Sequence, residues 1–310
     1  MPRLQWLKRT VQGAFEALWV QGFRMAGSGR QRPTVWSSPG GQRILAVVPH
    51  PDDEVVGCCG ALLAHRNAGD AVSVCCVTDG GRSRALGLPP PEMARVRRTE
   101  SERAAAALDV ELEWLGFPEG AWRFDELCER LAASLRAGRP EIVYAPSRVD
   151  FHPEHVRVAE ALAQALASLQ ADAEPAAVTP EVRICASQVP LTSVLTNLIA
   201  PVSLDEPAMN EALGAYRSQL GSIERSWRHR RYVGAFHGLR AAEEFWSMDA
   251  RAYRALHSDG SACDGSADDA SLAFRSLRYV AWSDPLAYLK GRAERRRLRR
   301  LIEKTEARGA

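Results

Sequence analysis

At 310 residues the chain can hold one large α/β domain or a domain with appendages, and its 46% apolar and 25% charged residues are ordinary for a soluble globular protein. A net charge of +2 excludes a global attraction to polyanions, so any such effect must be local. No run approaches the ~18 apolar residues of a membrane span, and arginines and polar residues interrupt every candidate leader core, so the expected location is the cytoplasm.

Taken in chain order, residues 3–25 set Leu4, Leu7, Val11, Phe15, Leu18, Trp19 and Phe23 among Arg3, Lys8, Arg9 and Arg24, an amphipathic helix pattern. Such a helix packs on the domain or a partner subunit, or lies in a membrane interface. Gly27 to Gly41 reads as a linker. Ile44 to Val48 is short, branched and continuous, as a buried parallel strand is. Val55 to Arg66 then carries Val55, Val56, Cys59, Leu62 and Leu63 at helical spacing. Between them, Pro49-His50-Pro51-Asp52-Asp53-Glu54 packs one His and three acids into a strand-to-helix turn, where open α/β sheets bind ligands.

Ala71 to Val77 is a second buried strand, and the long polar loop from Gly80 through Pro91 is a candidate substrate rim. Neither strand is followed by G-x-G-x-x-G, which disfavours a phosphate cradle. Pro91 to Leu108 is predicted helical, Leu112 to Leu115 a strand ending in Gly116-Phe117-Pro118-Glu119-Gly120, and Phe124 to Leu135 a helix. Pro140 to Pro146 is a further strand, and Asp150-Phe151-His152-Pro153-Glu154-His155 opens a helix over Val156 to Leu169. Ser168 to Pro180 reads as a loop and Val182 to Ala186 as another strand. The alternation predicts an α/β fold with a doubly wound parallel sheet. Most of the seven cysteines, among them Cys58, Cys59, Cys75, Cys76 and Cys185, lie in apolar stretches and read as core residues of a reducing compartment. Ser258 to Asp269 looks like a link. Lys290 to Arg308 holds nine Lys/Arg against three Glu and no aromatic, a solvated or membrane-surface helix rather than a base-stacking one, so no nucleic-acid partner is expected.

Adjacent Asp52 and Asp53 repel unless a positive charge lies between them or one takes a proton, and a divalent metal removes that difficulty. Imidazole plus carboxylate suits zinc or iron(II) better than calcium or magnesium. His152 and His155, three apart, offer a third ligand opposite His50 and a spare imidazole. Either half alone has an ordinary explanation, since acids are favoured at helix N-termini. Two such turns at two strand ends favour a metal site.

Pro49-His50-Pro51-Asp52-Asp53-Glu54 with the later His152-Pro153-Glu154-His155 resembles the PIG-L/LmbE-like family of zinc-dependent N-acetylglucosaminyl deacetylases, from about Arg43 to Trp246. The resemblance implies a Rossmann-like three-layer αβα sandwich and an N-acetylated sugar substrate. It implies zinc on His50, Asp53 and His155, Asp52 as general base, and His152 as acid or oxyanion stabiliser. Arg97 and Glu100 match the family's Arg-x-x-Glu helix, and Glu119 stands for the acid of its Pro-Asp-Gly turn, so Arg97 and Glu119 become candidate sugar contacts. An exposed ion pair is the plain alternative for Arg97 and Glu100. Glu154 replaces the family's Asp beside the catalytic His, and Glu54 is expected to support the site from behind. Asn210 to Gln219 matches a helix ending in Tyr-x-Ser-Gln, and Gly238 to Phe245 a Gly-x-x-x-Ala-Glu helix.

The expected organisation is an N-terminal extension and linker over 1–42, a deacetylase-like domain over 43–256, and a linker with a basic tail over 257–310. The leading expectation is a zinc-dependent N-deacetylase in the cytoplasm, with peripheral membrane contact through 3–25 and 290–308 if the substrate is lipid-linked, and oligomerisation left open. Its rivals are a non-catalytic carbohydrate-binding protein on the same fold and a metal-dependent esterase or phosphoesterase.

Overall fold

The computed structural model describes residues 17–27, 33–150, 152–172, 179–187, 189–257, 295–300 and 303. Residues 3–16, the 258–269 link and most of the basic tail lie outside the described residues. Eight strands form one sheet: β1 (Thr34–Val35), β2 (Arg43–Val48), β3 (Ala71–Thr78), β4 (Glu111–Phe117), β5 (Ile142–Ala145), β6 (Glu181–Cys185), β7 (Leu198–Pro201) and β8 (Ala242–Asp249). Their order is β1-β7-β8-β6-β5-β2-β3-β4, with only β8 antiparallel to its neighbours. The chain winds outward from β2 through β3 to β4, then returns to β5 on the other side of β2. The topological switch point lies between β2 and β5, the place where open α/β sheets bind ligands, and the two histidine turns follow those two strands.

Period-two alternation along β2 builds both faces. Leu45 and Val47 join Val143, Ala145 and the apolar faces of α5 (Phe124–Gly138), α6 (Pro153–Asp172) and α10 (Ala250–His257). Ile44, Ala46 and Val48 join Ile142, Tyr144 and α3 (Cys59–Asn67). Val55 and Val56 of α2 (Asp53–Gly57), with α4 (Pro90–Leu108) and α8 (Pro207–Ala215), complete that layer. The result is the expected three-layer α/β sandwich.

Several boundaries differ from expectation. Gly238 to Phe245, read as helical, instead turns into strand β8, because its acids are consumed by buried partners. Glu243 accepts the Gly60 and Ala61 N–H groups at 2.9 Å each, at the start of α3, and pairs with Arg230 of α9 (Leu220–Phe236) at 2.7 Å. Glu244 takes the Leu191 N–H and the Thr196 hydroxyl at 2.8 Å each. The 27–41 linker contains β1, which pairs with β7. Helix α6 continues to Asp172, past the predicted loop start.

Residues 17–27 form helix α1. Its Phe23 is buried against Tyr232 of α9, ring centroids 5.1 Å apart, with Val20 and Phe236 alongside. Leu18, Trp19 and Met25 remain exposed. No described helix is long and apolar enough to cross a membrane.

Candidate metal centre

The turn after β2 is held in an unusual backbone state. Asp52 has φ 115° and ψ −21°, a left-handed conformation that costs an L residue of order 1–3 kcal/mol and persists where the surroundings impose it. Pro51 precedes it, and the Arg97 guanidinium clamps both the Pro51 carbonyl and, at 2.6 Å, the Asp52 carboxylate. Gly80 (φ 61°) allows that clamp, since a Cβ there would lie 2.9 Å from Arg97 Nε.

Three donor atoms converge from the two turns. His50 Nδ1 lies 3.2 Å from His155 Nε2 and 3.4 Å from Asp53 Oδ2, and the last two are 3.2 Å apart. Tetrahedral ligands held 2.0–2.1 Å from zinc have edges of about 3.3–3.4 Å, so this triangle fits one face of a zinc tetrahedron. The alternative set His50, His152 and His155 brings its atoms only within 4.8 Å of one another.

Electrostatics make the same request. Burial works against a charged His155, yet Asp53 and Asp150 lift its pKa to about 10. Burial also opposes ionisation of Asp53, but the positive His155 and hydrogen bonds from both histidines hold that carboxyl well below the usual range. Burial pushes Asp52 up to about 8, against the pull of Arg97. Burial pushes Glu54 to about 7, against the hydrogen bond from Tyr216. A field that keeps a proton on a fully buried imidazole is one that a divalent cation satisfies. The donor set therefore fits zinc.

The remaining residues surround this triangle. Asp150, overlooked as a site residue, receives the His155 Nδ1–H at 3.0 Å, the carboxylate–histidine arrangement usual behind a metal ligand. An acid in the turn before a helix, five residues before a His, was its only trace in the sequence. His152 is half-buried, its ring centroid 4.8 Å from His50 and 5.3 Å from His155. Its Nδ1 accepts the Glu154 N–H at 3.3 Å, which leaves the neutral ring's proton on Nε2. The Glu154 carboxylate does not hold His152; it accepts the Gly120 N–H at 3.1 Å and the Trp122 indole N–H. Glu54 accepts the Asp52 N–H at 3.2 Å and the Tyr216 hydroxyl at 2.5 Å. Glu119 Oε1 stands 3.6 Å from His50 Nε2.

Arg97 and Glu100 are not an exposed pair. Both are buried; Arg97 clamps Asp52, while Glu100 takes the Ser218 N–H and hydroxyl at 2.9 and 2.5 Å. The Tyr-x-Ser-Gln segment thus ties down the helix that carries Arg97, and Gln219 reaches Ser83 of the rim loop at 2.9 Å.

Fold and site together define a mixed α/β sandwich with a candidate two-histidine, one-carboxylate metal centre at its switch point. Residues 45–166 match the PIG-L family model, GlcNAc-PI de-N-acetylase, and the chain's resemblance to the PIG-L/LmbE-like deacetylases is borne out. A probable N-acetyl-alpha-D-glucosaminyl L-malate deacetylase 2 of Bacillus anthracis is 29% identical over 144 residues, covering 43% of this chain and 63% of that protein. The chain thus spans less than two thirds of that relative's length. N,N'-diacetylchitobiose deacetylase from Pyrococcus horikoshii superposes with a TM-score of 0.58 at 23% identity, over 77% of this chain and 93% of that one. GalB, the 4-carboxy-2-hydroxymuconate hydratase of Pseudomonas putida KT2440, superposes equally, with a TM-score of 0.58 at 20% identity over 66% and 95%. The fold is shared by both, so the site must choose the chemistry.

Proposed function

We propose that this protein is a metal-dependent amide hydrolase that removes acetyl from an N-acetylglucosamine-type substrate, with residues 43–256 as the catalytic unit. The observation that carries the reading is the donor triangle of His50, Asp53 and His155 with Asp52 clamped beside it. Its relatives supply the class of bond: the curated one is named a deacetylase of an N-acetylglucosaminyl conjugate. His50, Asp53 and His155 would hold a zinc ion, which would supply Lewis acidity toward the amide carbonyl and the attacking water. Asp52 takes the proton of the attacking water and delivers it to the leaving amine, which departs only when protonated. Arg97 keeps the Asp52 carboxylate turned toward the centre. His152, with its proton on Nε2, donates to the oxygen that becomes negative as the amide carbon turns tetrahedral.

Two features weigh against a purely carbohydrate-binding role: a base and a spare imidazole beside the ligands are more than recognition requires. An esterase would use the same groups, so the assay must compare substrates. Asp52→Asn is expected to keep zinc and lose at least about 10³-fold in acetate release from N-acetylglucosamine conjugates, because an amide cannot accept the proton. Undiminished turnover in this variant would move the base elsewhere.

The same proposal extends to location. Leu18, Trp19 and Met25 project from α1 while Phe23 anchors it to α9, and Arg24 and Arg231 are exposed. This pattern supports peripheral contact of a cytoplasmic enzyme with an anionic membrane surface. Flotation with anionic and neutral vesicles tests it; absence of salt-sensitive binding to the anionic ones removes the membrane part and leaves a soluble sugar conjugate as substrate.

A further inference from the structure

His50 has one ring nitrogen in the donor triangle and one that nothing answers. Its Nδ1 faces His155 and Asp53, while Nε2 is buried with no hydrogen-bond partner among the described residues. A buried ring nitrogen left without a partner calls for explanation. Glu119 Oε1 stands 3.6 Å away, just outside hydrogen-bond range.

The carboxylate is not there by side-chain drift. Its other oxygen, Oε2, accepts the Arg82 N–H at 3.0 Å, which turns Oε1 to the His50 side. The backbone beneath it is pinned twice. The Glu119 N–H donates to Asp79 at 3.1 Å, and the next N–H, of Gly120, donates to Glu154 at 3.1 Å. Glu154 immediately precedes the ligand His155 in the chain. With the backbone fixed, side-chain length decides reach: an aspartate at 119 would fall about 1.5 Å short, one C–C bond.

We propose that Glu119 is a positioning residue of the metal centre rather than a sugar contact. It accepts the Nε2–H of His50, which leaves Nδ1 deprotonated and turned toward the ion. A shift of about 0.6 Å completes the bond. Asp150 does the same for His155 from the opposite ring nitrogen. The two histidines are therefore set as complementary tautomers, Nδ1 of one and Nε2 of the other meeting Asp53, each backed by its own carboxylate. This inference rests on the metal reading above and adds the residue that tunes it.

The test is zinc affinity, measured on the full chain by competition with a chromophoric chelator, alongside the visible absorption of the cobalt(II) form. Glu119→Ala and Glu119→Asp are expected to lose about 10–100-fold in zinc affinity and to change the cobalt spectrum. Glu119→Gln keeps one acceptor oxygen at the same reach but gives up the bond from the exposed Arg82 N–H, and is expected to lose less of both than Glu119→Ala. Zinc affinity within twofold of wild type and an unchanged cobalt spectrum in Glu119→Ala overturn the inference, and a raised KM in that variant would return Glu119 to the substrate. A wild-type chain that takes up no zinc overturns the metal reading itself and this inference with it.

Discussion

Two of the buried histidine–carboxylate clusters among the described residues, at opposite ends of the central strands, behave in opposite ways. Just before β3, Asp70 takes hydrogen bonds from His65 at 2.5 Å, from the Gln42 N–H at 2.8 Å and from the Ser38 hydroxyl. The other nitrogen of His65 meets the Tyr144 hydroxyl at 3.0 Å, which also accepts from Arg183 at 3.0 Å. Every group there has an answer, and burial pulls His65 down to about 4. At the switch point the donors converge on a shared point, His155 is lifted to about 10, His50 Nε2 is orphaned, and Asp52 is strained. A buried His beside an Asp is thus no signature by itself. Convergence with unmet demand is what sets the candidate metal centre apart.

Exchanging the two histidines for alanine breaks this comparison most sharply. His155→Ala is expected to lose nearly all bound zinc, since two remaining ligands hold it poorly. His65→Ala should keep the zinc but unfold more easily by about 1–3 kcal/mol, because it strips a partner from Asp70 and Tyr144. Metal analysis and denaturant melts of both variants decide it. A zinc-free His65→Ala, or one equivalent of zinc in His155→Ala, would erase the distinction. Next in size, His152→Ala should lower kcat by roughly 10²–10³ with metal retained; a change confined to KM would reduce His152 to substrate positioning.

The smallest effect separates the clusters by pH, read as stability of the metal-free protein. His155, raised from 6.5 to about 10, contributes stability that is complete below about 6.5 and lost as pH rises through 10. His65, lowered to about 4, refuses a proton that the unfolded chain accepts, so its cluster loses stability as pH falls from about 6.5 to 4. Chemical melts should therefore show the difference between wild type and His155→Ala shrinking on the alkaline side. The difference between wild type and His65→Ala should shrink on the acid side. The same slope in both variants would contradict the assignment.

The sequence made the strand-to-helix turns legible because a branched run followed by 3.6-spaced apolar residues has few alternatives, and both histidine turns fell at such junctions. What it hid depends on distant partners. Ala242-Glu243-Glu244-Phe245 has two consecutive acids and reads as a helix, yet Glu243 lies in a buried strand because Gly60, Ala61 and Arg230 answer it from far along the chain. Arg97 and Glu100 look like a surface pair at their spacing; only the tertiary fold sends one to Asp52 and the other to Ser218. Strands β1 and β7, of two and four residues, are too short to leave a periodic pattern.

Anomalous diffraction at the zinc edge from crystals of the zinc-loaded chain tests the central claim most directly. The expected result is one strong peak about 2.0–2.2 Å from His50 Nδ1, Asp53 Oδ2 and His155 Nε2, with Asp52 and His152 uncoordinated beside it. A peak ligated by His152 in place of Asp53, or none between the two turns, would contradict it.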